Sequence, residues 1–259
     1  MIESVLYLRR IFIKGVNMAE LQSMPSILID QTQLRTWGAR WLAETNDENG
    51  NKKKANSFDR KQSVNFASFI DLAFGNSIAQ MLGGINVVTP TGYSLLPAEA
   101  DVVEVGPVKI VGGIRSQNFD AAYRPDGPRI VFDSKTLNEE ESIGKNWQNM
   151  INDLGTEAST VHTRFPYSLV IFFVVLPKPA LNPKQEKDLI RTLERLSTRR
   201  SVLDQHHLAE AISMVVWNPD TGTIDDSIPP TTSHLRIENS PKIITDIYLD
   251  RYKGLPPHD

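Results

Sequence analysis

Two aspartates and a lysine flank a predicted tight turn in the segment FDAAYRPDGPRIVFDSKTLN, residues 119–138. Asp120 precedes the turn, whereas Asp133 and Lys135 follow it. The central Asp126-Gly127 pair is typical of a two-residue hairpin turn. If the two strands pair symmetrically about that centre, Asp120 lies opposite Asp133. Because side chains alternate along a strand, Lys135 then lies on the same face as Asp133.

This arrangement suits a particular chemistry. Two carboxylates paired across strands have Cβ atoms about 5 Å apart and repel one another. A divalent cation relieves the repulsion, and Mg²⁺ prefers carboxylate oxygens, waters and phosphates as ligands. Lys135 could balance the same charge and orient or deprotonate an attacking water. The groups therefore favour metal-assisted phosphodiester hydrolysis, in which the metal polarises the phosphate and lowers the pKa of bound water.

The opposite face of the predicted hairpin is mostly apolar, which favours burial and helps to set the strand register. It carries Phe119, Ala121, Tyr123, Ile130, Phe132 and Ser134. Two alternatives remain open. The charged residues could decorate the wet face of a surface hairpin. The aspartate pair could also belong to a hydrolase such as a glycosidase, whose acids lie roughly 5 to 9 Å apart, although the adjacent lysine is better explained by phosphate chemistry.

The elements predicted around the hairpin alternate between helices and strands. Gly83 and Gly84 are expected to end the helix before the sheet, and Asn138 is expected to cap the helix after the hairpin, with Glu141 completing a capping box. We predict helices at 19–45, 63–82, from 138 and at 183–200, and strands at 85–89, 101–112, 167–176 and 212–217, with weaker strands at 235–237 and 243–249.

The pattern predicts a single α/β domain over 1–259 with a mixed central sheet flanked by helices. Its core spans 63–217. An N-terminal extension with a helical arm and loop precedes the core over 1–57, and C-terminal strands and a tail follow it over 218–259. Residues 1–17 could be an extension if Met18 is an alternative start.

Asp120 followed by Asp133-Ser134-Lys135 resembles the motif of the PD-(D/E)xK nuclease superfamily, which includes many type II restriction endonucleases. The predicted order over 63–176 is also similar to the αβββαβ core of that superfamily. The resemblance implies that Asp120, Asp133 and the backbone carbonyl of Ser134 bind the metal and that Lys135 is catalytic. The sequence departs from the family at Phe119, where the family has proline.

The same resemblance suggests further site residues, because the family often adds an acid from the helix before the sheet. Asp71 is the only carboxylate in that predicted helix. Glu99 and Glu104 are alternatives from the strand region, and Gln148 on the following helix is expected to line the site.

A basic stripe is predicted on the helix that begins near 183. Its members recur at spacings of three or four residues: Lys184, Lys187, Arg191, Arg195 and Arg199. The stripe could follow a phosphate backbone. The alternative is an ordinary solvated helix face. This alternative is slightly favoured, because most amphipathic helices carry charged residues on their exposed face.

Composition excludes several classes of function. The 259 residues include no cysteine, which rules out disulfides, thiolate metal sites and cysteine nucleophiles and fits a reducing cytoplasm. The net charge of −3 means that any basic surface is local. No apolar run approaches the roughly 20 residues of a membrane helix. We therefore predict a soluble, cytoplasmic protein.

The resemblance implies a Mg²⁺- or Mn²⁺-dependent DNA endonuclease of restriction-modification or antiviral defence type, with double-stranded DNA as the favoured substrate. A homodimer is expected, because two symmetric sites can cut both strands. A defence-system partner is left open, and no membrane partner is expected. The alternative is a catalytically silent nucleic-acid-binding or assembly subunit on the same fold, although the presence of all three motif residues favours the enzyme.

Overall fold

A computed structural model describes residues 20–46, 52–91, 94–97, 99–178 and 181–258. The possible extension at 1–17 lies outside these residues. Five α-helices and one 3₁₀ turn are found within them: α1 Gln31–Leu42, α2 Arg60–Met81, α3 Glu140–His162, α4 Pro183–Leu196, the 3₁₀ turn Ile237–Asn239, and α5 Ser240–Tyr252.

The described strands form two sheets. A small antiparallel ladder joins β1 Thr45–Asn46 to β2 Lys52–Lys53. The main sheet has seven strands in the spatial order of their numbering: β3 Asn86–Val88, β4 Val102–Val111, β5 Ser116–Tyr123, β6 Ile130–Thr136, β7 Leu169–Pro177, β8 Ala211–Asn218 and β9 Thr223–Ile224.

Strand direction makes this a mixed sheet, as predicted. The pairs β3–β4, β6–β7 and β7–β8 are parallel, while β4–β5, β5–β6 and β8–β9 are antiparallel. Parallel neighbours need crossover connections, and α3 and α4 supply them between β6, β7 and β8. Every residue of β7 is buried, as expected for a central strand covered on both faces.

Two apolar layers cover the sheet. Phe74 of α2 stacks on Phe132 of β6 in the first layer, with ring centroids 3.9 Å apart. That layer also includes residues of α1 and α5, and in the second layer residues of α3 and α4 pack on the other face of the sheet. Alternate residues of β7 enter opposite layers, with Leu169, Ile171, Phe173 and Val175 in the first and Val170, Phe172, Val174 and Leu176 in the second.

The predicted hairpin register is confirmed for residues 121–123 and 130–132, whereas the predicted pairing of Asp120 with Asp133 is not found in the ladder. Ala121 pairs with Phe132, and Tyr123 pairs with Ile130, which is the symmetric pairing about the central turn. Gly127 has a φ of 134°, a conformation that favours glycine. The hairpin occupies the middle of the sheet with both faces buried, so the surface-hairpin alternative is wrong.

The prediction that Phe119 shares a face with Ala121 is wrong. Phe119 packs in the second layer, whereas Ala121 packs in the first. The neighbouring strand β4 has a register shift between Val105 and Val108. A bulge of this kind increases the local twist of paired strands, which re-aims side chains, and the change of face in β5 coincides with it.

Several helix boundaries differ from the predictions. The first helix begins only at Gln31, because Asp30 caps it by accepting a hydrogen bond from the Gln33 amide at 2.8 Å. The helix after the hairpin begins at Glu140 without a side-chain cap, since the Asn138 amide instead donates to Thr136 Oγ1. Helix α4 ends at Leu196, short of residue 200.

Two weak strands were predicted in the C-terminal segment, but 243–249 belongs to α5 and 235–237 forms a bend that leads into the 3₁₀ turn. Ile244, Ile247 and Tyr248 recur at helical spacing and all face the core. Pro241 lies in the first turn, where its missing amide hydrogen costs nothing. Among the described residues, no helix is long and apolar enough to cross a membrane.

Candidate active site

Strands β5 and β6 separate at the level of Asp120 and Asp133. Their ladder is confined to residues 121–123 and 130–132. Beyond it, β5 continues along β4 and β6 continues along β7. We call this opening the fork. The Ser134 amide donates to Asp120 Oδ2 at 2.9 Å, so the Asp120 side chain crosses the fork and holds its carboxylate against β6.

Lys135 lies on the α3 side of the fork, on the same face as Asp133, as predicted. Its Nζ donates to Asp133 Oδ2 and to Glu157 Oε1, each at 2.8 Å. The Lys135 side chain is 20% exposed, and those of Asp133 and Glu157 are 9% and 6% exposed. The ammonium is therefore held between two largely buried carboxylates.

Asp71 approaches the fork from α2 on the other side of the sheet. Burial raises its pKa to about 8, and the negative charge of Asp120 adds to the rise, while a hydrogen bond with Ser134 opposes it. Its Oδ1 is buried and has no hydrogen-bond partner among the residues that the structure describes. Asp71 is thus a buried acid that holds a proton near neutral pH.

Burial and neighbouring charges also shift the pKa values of Asp133 and Lys135 at the fork. Burial and then the charge of Asp120 raise the pKa of Asp133 well above its usual range, although Lys135 opposes that rise. For Lys135, burial disfavours the ammonium, but Asp133 and Glu157 more than offset it and raise the pKa. Lys135 therefore stays protonated, which favours orientation of water or phosphate over the deprotonating role also considered for it.

Glu157 was not expected at the site. Gln148 was expected from the same helix, but its side chain is exposed and points away from the core. Glu157 lies instead in the buried stripe of α3, among Met150, Leu154, Ala158 and Val161. An acid in an apolar helical stripe is the sequence signal that could have found it, because such a residue is rarely buried without a partner.

The other acids suggested from the strand region lie elsewhere. Glu104 is buried on β4 and forms a two-pronged ion pair with Arg124, with Nε–Oε2 and Nη2–Oε1 distances of 2.5 and 2.9 Å. Its carboxylate is fully engaged by that guanidinium, so the expectation of a site role for it is not supported. Glu99 is exposed.

The predicted basic stripe is shorter than expected. Arg199 lies beyond the end of α4, is fully buried, and donates to Glu210 Oε1 at 3.0 Å. Its guanidinium is committed to that internal ion pair, so it is wrong as a nucleic-acid contact. The exposed remainder of the stripe consists of Lys184, Lys187, Arg191 and Arg195. Helix α4 packs beside α3, where the Gln185 side chain donates to the Gly144 carbonyl.

The donor chemistry at the fork fits a hard divalent cation. In the part of the chain that the structure describes, no three His, Cys, Asp or Glu side chains form a group that could hold a metal ion. The expected ligand set is smaller, with two carboxylates and one backbone carbonyl, and all of its donors are oxygens, as Mg²⁺ prefers. Two further buried carboxyl oxygens near these donors, Asp71 Oδ1 and Glu157 Oε2, have no hydrogen-bond partner among the described residues.

No family model, curated protein or solved structure matches this chain. The nuclease hypothesis therefore depends on the motif residues and the geometry of the fork.

Proposed function

We propose that this chain is a divalent-metal-dependent endonuclease that hydrolyses phosphodiester bonds of DNA, of restriction type or acting in prokaryotic defence. One observation carries the proposal. The Lys135 ammonium lies 2.8 Å from Asp133 Oδ2. The Asp120 carboxylate crosses the fork and accepts a hydrogen bond from the amide of Ser134, the residue that follows Asp133 on β6. Two acids and a protonated lysine thus meet where two strands part.

Each residue at the fork has a distinct role in the proposed reaction. Asp120, Asp133 and the Ser134 carbonyl would hold Mg²⁺ or Mn²⁺. When bound, the cation supplies charge that polarises the phosphate and acidifies a water. The Ser134 amide fixes Asp120. The Lys135 ammonium donates to an anionic phosphate oxygen or orients the attacking water, because its raised pKa keeps it charged.

Two features outside the fork support the same proposal. The order α2, β3, β4, β5, β6, α3, β7 contains the αβββαβ order implied by the resemblance, with the short strand β3 as an additional element, and this order supports the proposal. The exposed cations of α4 lie next to α3, which carries Glu157, and could contact a phosphate backbone beyond the reacting bond. We propose double-stranded DNA as substrate and a homodimer as the unit that cuts both strands.

Cleavage of supercoiled plasmid tests the proposal. We expect nicked and linear products with Mg²⁺ or Mn²⁺ and none with EDTA. Lys135→Ala removes a donor that stabilises charge in the transition state and should lower the rate at least about a hundredfold. Asp120→Asn should abolish cleavage, and Lys253→Ala, at an exposed position of the C-terminal region, is the matched control.

Two outcomes would contradict this account. Cleavage at the wild-type rate by a clean Lys135→Ala preparation would refute the role of the lysine. Retention of DNA without turnover in any divalent metal would identify a silent binding subunit in place of an enzyme.

A further inference from the structure

Lys135 has two carboxyl partners that come from different elements. Asp133 lies two residues away on β6, and Glu157 reaches it from α3, each with an oxygen 2.8 Å from Nζ. A lysine side chain has four rotatable bonds and keeps considerable freedom when one contact holds it. The second contact, from a separate element, is what fixes the position of Nζ.

The two partners differ in what else they do. Asp133 is a proposed metal ligand, so its oxygens would be shared between the cation and Lys135. Glu157 has no competing partner within the described residues, since Oε1 accepts from Lys135 and Oε2 accepts from no group. Glu157 can therefore hold the ammonium whether or not Asp133 is engaged by a metal.

The surroundings of Glu157 make it a rigid support. Leu154, Ala158 and Val161 around it on α3 are each at most 1% exposed, so the backbone that carries the carboxylate is packed into the second layer. Burying an acid with one oxygen unsatisfied is unfavourable, and an apolar residue would fill this stripe at lower cost. The acid is thus explained by its contact with Lys135.

We infer that Glu157 is the positioning residue for Lys135, an inference that rests on the proposed nuclease function. It holds Nζ at the α3 side of the fork, where the ammonium meets the scissile phosphate or the attacking water. Replacing a residue that orients a site residue in this way typically lowers activity about 10- to 100-fold.

Cleavage kinetics of Glu157→Gln provide the first test. The amide keeps the size of the side chain and one acceptor oxygen but removes the charge that holds the ammonium. We expect kcat to fall about 10- to 100-fold while KM stays within about threefold, because the substrate-binding surface is unchanged. Asp153→Asn is the matched control, since it makes the same change one turn earlier on α3 at an exposed position. Melting temperatures of all variants verify folding.

The second test detects the contact between Glu157 and Lys135 without measuring activity. Ion pairing slows proton exchange of a lysine ammonium, so the Lys135 NH₃⁺ group should give a resolved ¹⁵N-detected NMR signal, assigned by its loss in Lys135→Arg. We expect that signal to broaden or shift in Glu157→Gln and to persist in Asp153→Asn.

The outcomes separate the two proposals. An unchanged signal and unchanged kcat in folded Glu157→Gln would overturn the positioning role, as would equal losses in Asp153→Asn. If the wild-type protein cleaves no DNA in any divalent metal but only Glu157→Gln loses the signal, the nuclease function fails and the contact with Lys135 stands.

Discussion

Replacing Asp71 with asparagine should stabilise the folded protein at neutral and alkaline pH. The Asp71 side chain is buried in α2, and its pKa is raised to about 8 by burial and by the charge of Asp120, with Ser134 only partly opposing the rise. In the unfolded chain the same carboxyl has its ordinary pKa of 3.8. Asparagine has a similar shape and carries no charge at any pH.

The magnitude follows from proton linkage. Because the folded pKa is raised, the folded protein keeps a proton that the unfolded chain releases, so stability falls as pH rises from about 4 to about 8 and then levels. Each pH unit in that window costs about 1.4 kcal/mol, which gives an upper limit of about 4 kcal/mol at pH 7. Local relaxation reduces this figure, and we expect Asp71→Asn to gain about 1–3 kcal/mol.

Urea denaturation between about pH 5 and pH 9 measures the effect as a change in free energy of unfolding. The gain of Asp71→Asn over wild type should grow up to about pH 8 and stay constant above it. Asp153→Asn, at an exposed position of α3, should show no such trend. A gain that is independent of pH, or an asparagine variant less stable than wild type at pH 8, would refute the reasoning.

Two further predictions concern charges away from the fork. Glu210 is fully buried and accepts hydrogen bonds from Arg199, Arg251 and His162. Arg251→Met should therefore lower the free energy of unfolding by about 3 kcal/mol, measured by urea denaturation. The exposed-site control Lys253→Met should leave the denaturation midpoint unchanged, and an unchanged midpoint in Arg251→Met would contradict the prediction. Replacing Lys187 and Arg191 of α4 together by alanine should weaken DNA binding and reduce the salt dependence of affinity by about 0.9 per lost phosphate contact. Fluorescence anisotropy at several salt concentrations measures that slope, and an unchanged slope would assign α4 to an ordinary solvated face.

Local signals in the sequence predicted much of the fold. The register of the hairpin followed from its Asp-Gly turn and from alternation along the strands, since both constraints lie within one short segment. The end of α2 followed from Gly83 and Gly84, which both adopt positive φ. The burial of β7 followed from its continuous apolar run, because only a strand covered on both faces tolerates one.

Partners across the fold could not be predicted in the same way. A helical pattern shows that Glu157 lies on a buried face, but the sequence does not show that Lys135 lies opposite it. Arg199 continues the spacing of the α4 stripe although the helix has already ended at Leu196, and only its tertiary partner Glu210 reveals its structural role. The ion pair of Glu104 with Arg124 depends on the neighbouring strand in the same manner.

The central claim is that the fork holds a divalent cation between Asp120 and Asp133. Anomalous diffraction from crystals grown with Mn²⁺ tests it most directly, because the metal is located without any assumption about activity. We predict an anomalous peak within about 2.0–2.3 Å of a carboxylate oxygen of each aspartate, typical of a Mg²⁺-type site with oxygen ligands, and no peak in Asp120→Asn. A fork without a peak at saturating Mn²⁺, or a peak that persists unchanged in Asp120→Asn, would contradict the account.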